Sequence, residues 1–102
     1  MRRREKRYVV YLLSNKLRTV LYIGVTNDLI RRLEEHLSQS TIECFTHRYK
    51  TTDLVYVESY ISIEEAILRE KQLKGWTRAK KEKLIEQEHP NWKNESIIPE
   101  GF

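Results

Sequence analysis

Apolar and aromatic residues crowd two short runs near the start of the chain, Tyr8 to Leu13 and Val20 to Val25, with the polar stretch Ser14 to Thr19 between them. Val, Leu, Ile and Tyr at this density suit packed, pleated strands, and the pair predicts a β-hairpin. If Ser14 pairs with Thr19 across a four-residue loop, Tyr11 stands directly opposite Tyr22 and two phenols share one face. The spacing then changes from two to four: Leu29, Leu33 and Leu37 form a helical stripe, Asn27 or Asp28 can cap it, and the helix should run to about Gln39. Arg32 and His36 share the adjoining face. Residues 40–53 are expected to connect this helix to a third strand over Leu54 to Tyr60, where β-branched and aromatic residues alternate.

Ser62 and Glu65 have capping-box spacing for a helix from about Ile63 to Lys74, with Gly75 as its stop. Ile63, Ala66, Ile67 and Leu73 follow one helical face, and the same progression calls for an apolar residue at position 70, where the chain has Glu70. Thr77 can cap a further helix to about Glu88, with Leu84 and Ile85 turned inward and His89-Pro90 ending it. There is no internal repeat, low-complexity segment or Pro/Gly-rich linker. The expected fold class is α/β in the α+β sense: a three-stranded antiparallel sheet flanked by about three helices in one domain over residues 7–92, with a basic arm at 1–6 and an irregular tail at 93–102.

Charge adds a partner class. The 102-residue chain carries a formal net charge of +4. Its cations are uneven: Arg2, Arg3, Arg4, Lys6 and Arg7 crowd the start, and Arg69, Lys71, Lys74, Arg78, Lys80, Lys81 and Lys83 crowd residues 69–83. Isolated clusters of this kind usually solvate a helix face, but two flanking a candidate site favour a polyanion. The single Cys44 excludes an internal disulfide and a Cys-based zinc cage and suits a reducing compartment, so the cytoplasm is expected. The run Tyr8 to Leu13 is shorter than a signal-peptide core and far below the roughly 20 residues of a membrane span.

A carboxylate on a core-facing stripe is costly without compensation. Glu70 therefore needs a partner: a salt bridge to Arg32, Lys74 or another base is the ordinary solution, and a metal ion the sharper one. Magnesium accepts a single protein carboxylate while keeping several waters and taking oxygens from a phosphate. Phosphodiester hydrolysis also needs a proton acceptor and cations facing the phosphate, and Tyr11, Tyr22, Arg32 and His36 are suitable types. A free phenol titrates near 10, so phenolate at neutral pH costs about 4 kcal/mol unless cations lower it. Taken singly, the tyrosines also read as amphipathic sheet packing, and His36 as a helix-surface hydrogen-bonding residue.

Together, Val9-Val10-Tyr11, Tyr22-Ile23-Gly24, Thr26-Asn27-Asp28-Leu29, Arg31-Arg32, His36 and Glu70 resemble the GIY-YIG nuclease superfamily. The likeness covers roughly residues 7–92. It is strongest to small freestanding members, related to the N-terminal nuclease domain of the excision-repair incision subunit, through Phe45-Thr46 and Glu70-Lys71-Gln72-Leu73-Lys74-Gly75-Trp76. The resemblance implies that Tyr11 and Tyr22 are the motif tyrosines, Arg32 the catalytic arginine, and Glu70 the carboxylate for one Mg2+, with Mn2+ as a substitute. His36 matches a further catalytic position, and either it or Tyr22 serves the water. Val9 and Val10 depart from the first motif's glycine and isoleucine, and Val25 stands where some repair relatives carry lysine.

The resulting expectation is a metal-dependent endonuclease of repair or recombination. Its substrate is DNA, with RNA left open, and a protein partner is expected to target it. Arg31, Lys71, Lys74, Arg78, Lys80 and Lys81 are the expected nucleic-acid contacts. The competing readings are a nucleic-acid-binding module of the same fold without catalysis, which the same charges would serve, and an interaction domain for an acidic protein. Trp76 between Lys74 and Arg78 could stack on a base, but a tryptophan after a helix more often plugs a core.

Overall fold

The computed structural model describes residues 7–38, 53–88 and 90, with the side chains of residues 36–38 outside that description. The elements run β1 (Tyr8–Ser14), β2 (Leu21–Thr26), α1 (Leu29–Ser38), β3 (Asp53–Tyr60), α2 (Ile63–Lys74) and α3 (Arg78–Glu88). The three strands form one antiparallel sheet in the order β2-β1-β3, so the first strand is central and β2 is an edge. Central position explains composition: Val9 to Leu13 are all fully buried, because β1 is covered on both faces.

Each face has its own core. Val10, Leu12, Ile23, Val55 and Tyr56 pack against Ala66 and Leu73 of α2 and Ile85 of α3. Val9, Tyr11, Leu13 and Leu54 pack on the other face against Leu29 of α1, with Leu33 and Val57 partly covering them. A bulge reconciles β3 with both cores: Leu12 pairs with Tyr56 and Leu13 with Leu54, so Val55 is the extra residue and joins Tyr56 on the α2/α3 face. Each large aliphatic side chain buried this way contributes about 1.5–3 kcal/mol. Among the described residues, helix α1 covers one face, and α2 and α3 share the other.

Local chemistry sets the boundaries. Asp28 Oδ1 accepts from Arg31 N at 3.2 Å to start α1, and Thr26 Oγ1 accepts from Asp28 N at 3.0 Å. Ser62 Oγ accepts from Glu65 N at 3.4 Å, and Thr77 Oγ1 from Lys80 N at 3.2 Å, as their spacing suggests. The hairpin register differs from expectation. Ser14 pairs with Leu21, which leaves Tyr11 opposite Gly24 and Tyr22 opposite Leu13. The cause is Asn15, whose Oδ1 accepts from Thr19 N (2.9 Å) and Val20 N (3.1 Å) and whose Nδ2 donates to Thr19 Oγ1 (2.7 Å). These bonds hold residues 15–20 as one connection, with Arg18 in the left-handed region at φ 60°. The two-residue shift preserves sidedness, so the phenols still share a face, as diagonal neighbours with ring centroids 6.2 Å apart.

Candidate active site

A cleft of about 600 Å³ follows the open edge of β2. Leu21, Ile23 and Val25 from one sheet face and Tyr22 and Gly24 from the other all line it, as expected where a groove runs along an edge rather than over a face. Arg32 enters from α1, Glu70 and Lys74 from α2, and Lys81 from α3. The helices on opposite faces of the sheet thus meet at the same edge. Four residues expected to serve the chemistry, Tyr11, Tyr22, Arg32 and Glu70, lie in this cleft or immediately behind it.

Tyr11 is the support. It is fully buried, and its ring lies across Gly24 so closely that a Cβ there would stand 2.5 Å from Cζ and Oη. Only a residue without a side chain permits this approach. The Tyr11 hydroxyl accepts from Arg32 Nε at 3.4 Å, and Arg32 Nη1 donates to Glu35 Oε1 at 3.3 Å. The Tyr11 bond raises the Arg32 pKa despite partial burial, with smaller contributions from Tyr22, so the guanidinium is a fixed cation beside both phenols.

Glu70 corrects the reading of its helix. Ile63 and Ile67 are 38% and 39% exposed, and the core side of α2 is carried by Ala66 and Leu73. Position 70 therefore belongs to a stripe turned toward the cleft, where a carboxylate side chain stays 19% exposed. Lys74 Nζ, one turn on, lies 3.1 Å from its Oε2. Among the described residues no group of three His, Cys, Asp or Glu could cage a metal. The donor set fits only an ion that keeps most of its ligands from water or substrate.

The remaining expected contacts disperse. Arg31 lines an adjoining groove with Tyr8, Thr26, Asn27 and Arg32. Lys71 is exposed on α2. Lys80 lies over Trp76, its Nζ 4.3 Å from the ring centroid, while Trp76 itself packs against the core. Arg78 donates to the backbone carbonyls of Arg18 and Thr19 and to Glu82 Oε2 at 2.7 Å, so its guanidinium ties α3 to the hairpin loop. The side chain of His36 and the Phe45-Thr46 pair lie outside the described residues.

One polar cluster was not anticipated. Glu58 accepts from the hydroxyls of Tyr56 and Tyr60 at 2.6 Å each, and bidentately from Arg69 Nε and Nη2 at 2.9 Å each. Burial pushes the Glu58 carboxyl up, but Arg69 and the two phenols outweigh it and hold it below its ordinary range. Burial first and the Glu58 bond second push Tyr60 up to about 12. The Tyr-x-Glu-x-Tyr alternation of β3 put these three side chains on one face and was the available signal. The cluster clamps α2 to β3.

A family model described as the GIY-YIG catalytic domain matches residues 7–83, which include every cleft-lining side chain. The chain belongs to the GIY-YIG family. GIY-YIG proteins are nucleases, generally dependent on a divalent metal, with nucleic acid as substrate. The chain is 39% identical over 67 residues to a UPF0213 protein of Bacillus pumilus, covering 66% of this chain and 67% of the relative. It is 36% identical over 81 residues to a UPF0213 protein of Natronomonas pharaonis, covering 79% and 93%. The solution NMR structure of a UPF0213 protein from Bacillus halodurans matches with a TM-score of 0.55 and 29% identity, over 90% of this chain and 96% of that one. Among the described residues no helix is long and apolar enough to cross a membrane.

Proposed function

We propose that this GIY-YIG protein is an endonuclease that hydrolyses phosphodiester bonds of DNA with Mg2+ or Mn2+, in the cytoplasm and in the service of repair or recombination. The observation that carries the proposal is the β2-edge cleft, into which Tyr22, Arg32, Glu70, Lys74 and Lys81 project from four elements. A groove with cations on both walls and one carboxylate accepts a phosphate and discriminates little between bases.

In this reading Arg32, kept charged and aimed by Tyr11, grips the phosphate. Tyr22, on the cleft wall next to that cation, orients the attacking water and takes its proton, with His36 as the second candidate for that work. Glu70 would hold the divalent ion, which when bound supplies positive charge for the leaving oxygen. Lys74 is 55% exposed, so its ammonium can leave Glu70 for solvent or a neighbouring phosphate. Arg31 and the exposed lysines of α2 and α3 add backbone affinity, and a protein partner supplies the choice of site.

A Glu70→Ala variant tests the assignment. Folded protein that binds oligonucleotide in chelator as wild type does, yet has lost metal-dependent cleavage, is the expected outcome. Cleavage at the wild-type rate would remove Glu70 from the chemistry.

A further inference from the structure

Lys81 differs from the other lysines of α2 and α3 in exposure, and from the cleft's other cations, Arg32 and Lys74, in pairing. Lys71, Lys74, Lys80 and Lys83 of α2 and α3 are exposed, whereas Lys81 is half-buried in the cleft wall. Arg32 shares Glu35, and Lys74 shares Glu70. Lys81 has no acidic residue at helical contact spacing, since positions 77, 78, 84 and 85 are Thr, Arg, Leu and Ile. Among the described residues it makes no ion pair. Its direction is also set: Ile85, one turn on along the same helix face, is fully buried in the core, which turns that face of α3 inward and fixes Lys81 toward the β2 edge.

A lysine held in a cleft wall with no carboxylate at helical contact spacing has its ammonium donors available to an anion that enters the cleft. The cleft supplies the place, and Arg32 stands on the α1 side of the same cleft. We propose that Lys81 is a catalytic residue that binds a non-bridging oxygen of the scissile phosphate from the α3 side while Arg32 binds from the α1 side. The proposal rests on the endonuclease reading and separates Lys81 from the lysines that merely attract backbone. A compact ammonium with three donors suits this task, because negative charge grows on those oxygens during attack and a fixed cation gains interaction there.

The test compares wild type, Lys81→Met, Lys81→Arg and Lys71→Met on a DNA oligonucleotide with Mg2+, and measures binding of the same oligonucleotide in chelator. Methionine keeps an unbranched stem, and thermal melts check folding. Lys81→Met should lower kcat by about 10–100-fold with binding in chelator changed by less than about 3-fold, and Lys81→Arg should recover most of the loss. Lys71→Met should raise KM and leave kcat unchanged. A Lys81→Met variant that behaves like Lys71→Met, or that arginine does not improve upon, overturns the assignment while leaving the nuclease reading intact. Absence of cleavage by wild type on every substrate would overturn both.

Discussion

Replacing Gly24 with alanine probes the site's foundation. The new Cβ would meet Tyr11 Cζ and Oη at 2.5 Å and Cε1 at 2.9 Å, where ordinary contact begins near 3.4 Å, so the ring must retreat by about 0.9 Å. Backbone strain is no part of the cost, because Gly24 does not occupy the left-handed region. Tyr11 is fully buried in the α1-side core and has nowhere free to go. Overpacking of this kind costs about 1–3 kcal/mol, which in a domain of this size lowers Tm by about 4–8 °C per kcal/mol. Moving the phenol oxygen by that amount also breaks its 3.4 Å bond with Arg32, so cleavage should fall beyond what the loss of folded protein explains. Thermal melts in three backgrounds decide the matter. In Tyr11→Phe the penalty should persist, because the clashing ring carbons remain. In Tyr11→Leu it should largely vanish, giving a coupling of about 1–2 kcal/mol. A Gly24→Ala protein with wild-type Tm, or an equal penalty in the Tyr11→Leu background, would refute the argument.

Glu58→Gln should cost about 2 kcal/mol in urea unfolding at neutral pH, since it removes a charge-assisted bidentate pair with Arg69. Because the folded carboxyl lies below its unfolded value of about 4.3, its stabilisation is full above that pH and is lost as pH falls through the lower folded pKa; wild type should therefore weaken below about pH 4.3 more steeply than the variant. An equally steep acid profile in both would count against the cluster. Asn15→Ala should lower stability by about 1 kcal/mol and speed amide exchange at Thr19 and Val20, whose N–H groups lose their acceptor, and unchanged exchange would show that the loop closes by other means.

Much of this architecture was legible because it is local. Strand composition, the four-residue leucine spacing and the Asp28, Ser62 and Thr77 caps each depend on neighbours a few residues away, and α2 and α3 fall at their expected bounds. The register was missed by two because strand pattern fixes only which face a residue takes, and the bonds of Asn15 then decide where pairing starts. Glu70 interrupts an apolar progression, yet position 70 faces the cleft, while Ala66 and Leu73 carry the core side of the helix. How far Ile63 and Ile67 are covered depends on tertiary packing. The Glu58 cluster combines an alternating strand pattern with an arginine eleven positions away on α2, and only packing brings them together. The convergence of Tyr22, Arg32, Glu70 and Lys81 follows from β2 being an edge, a fact of strand order that no local pattern encodes.

The most direct test of the central claim is incubation of the purified wild-type protein with labelled DNA and RNA of several structures, single-stranded, duplex and branched, in Mg2+, in Mn2+ and in chelator. The account predicts strand scission of DNA in either metal and none in chelator. Binding without scission across the whole panel, in both metals, would contradict it and leave the cleft as a site that holds nucleic acid without cutting it.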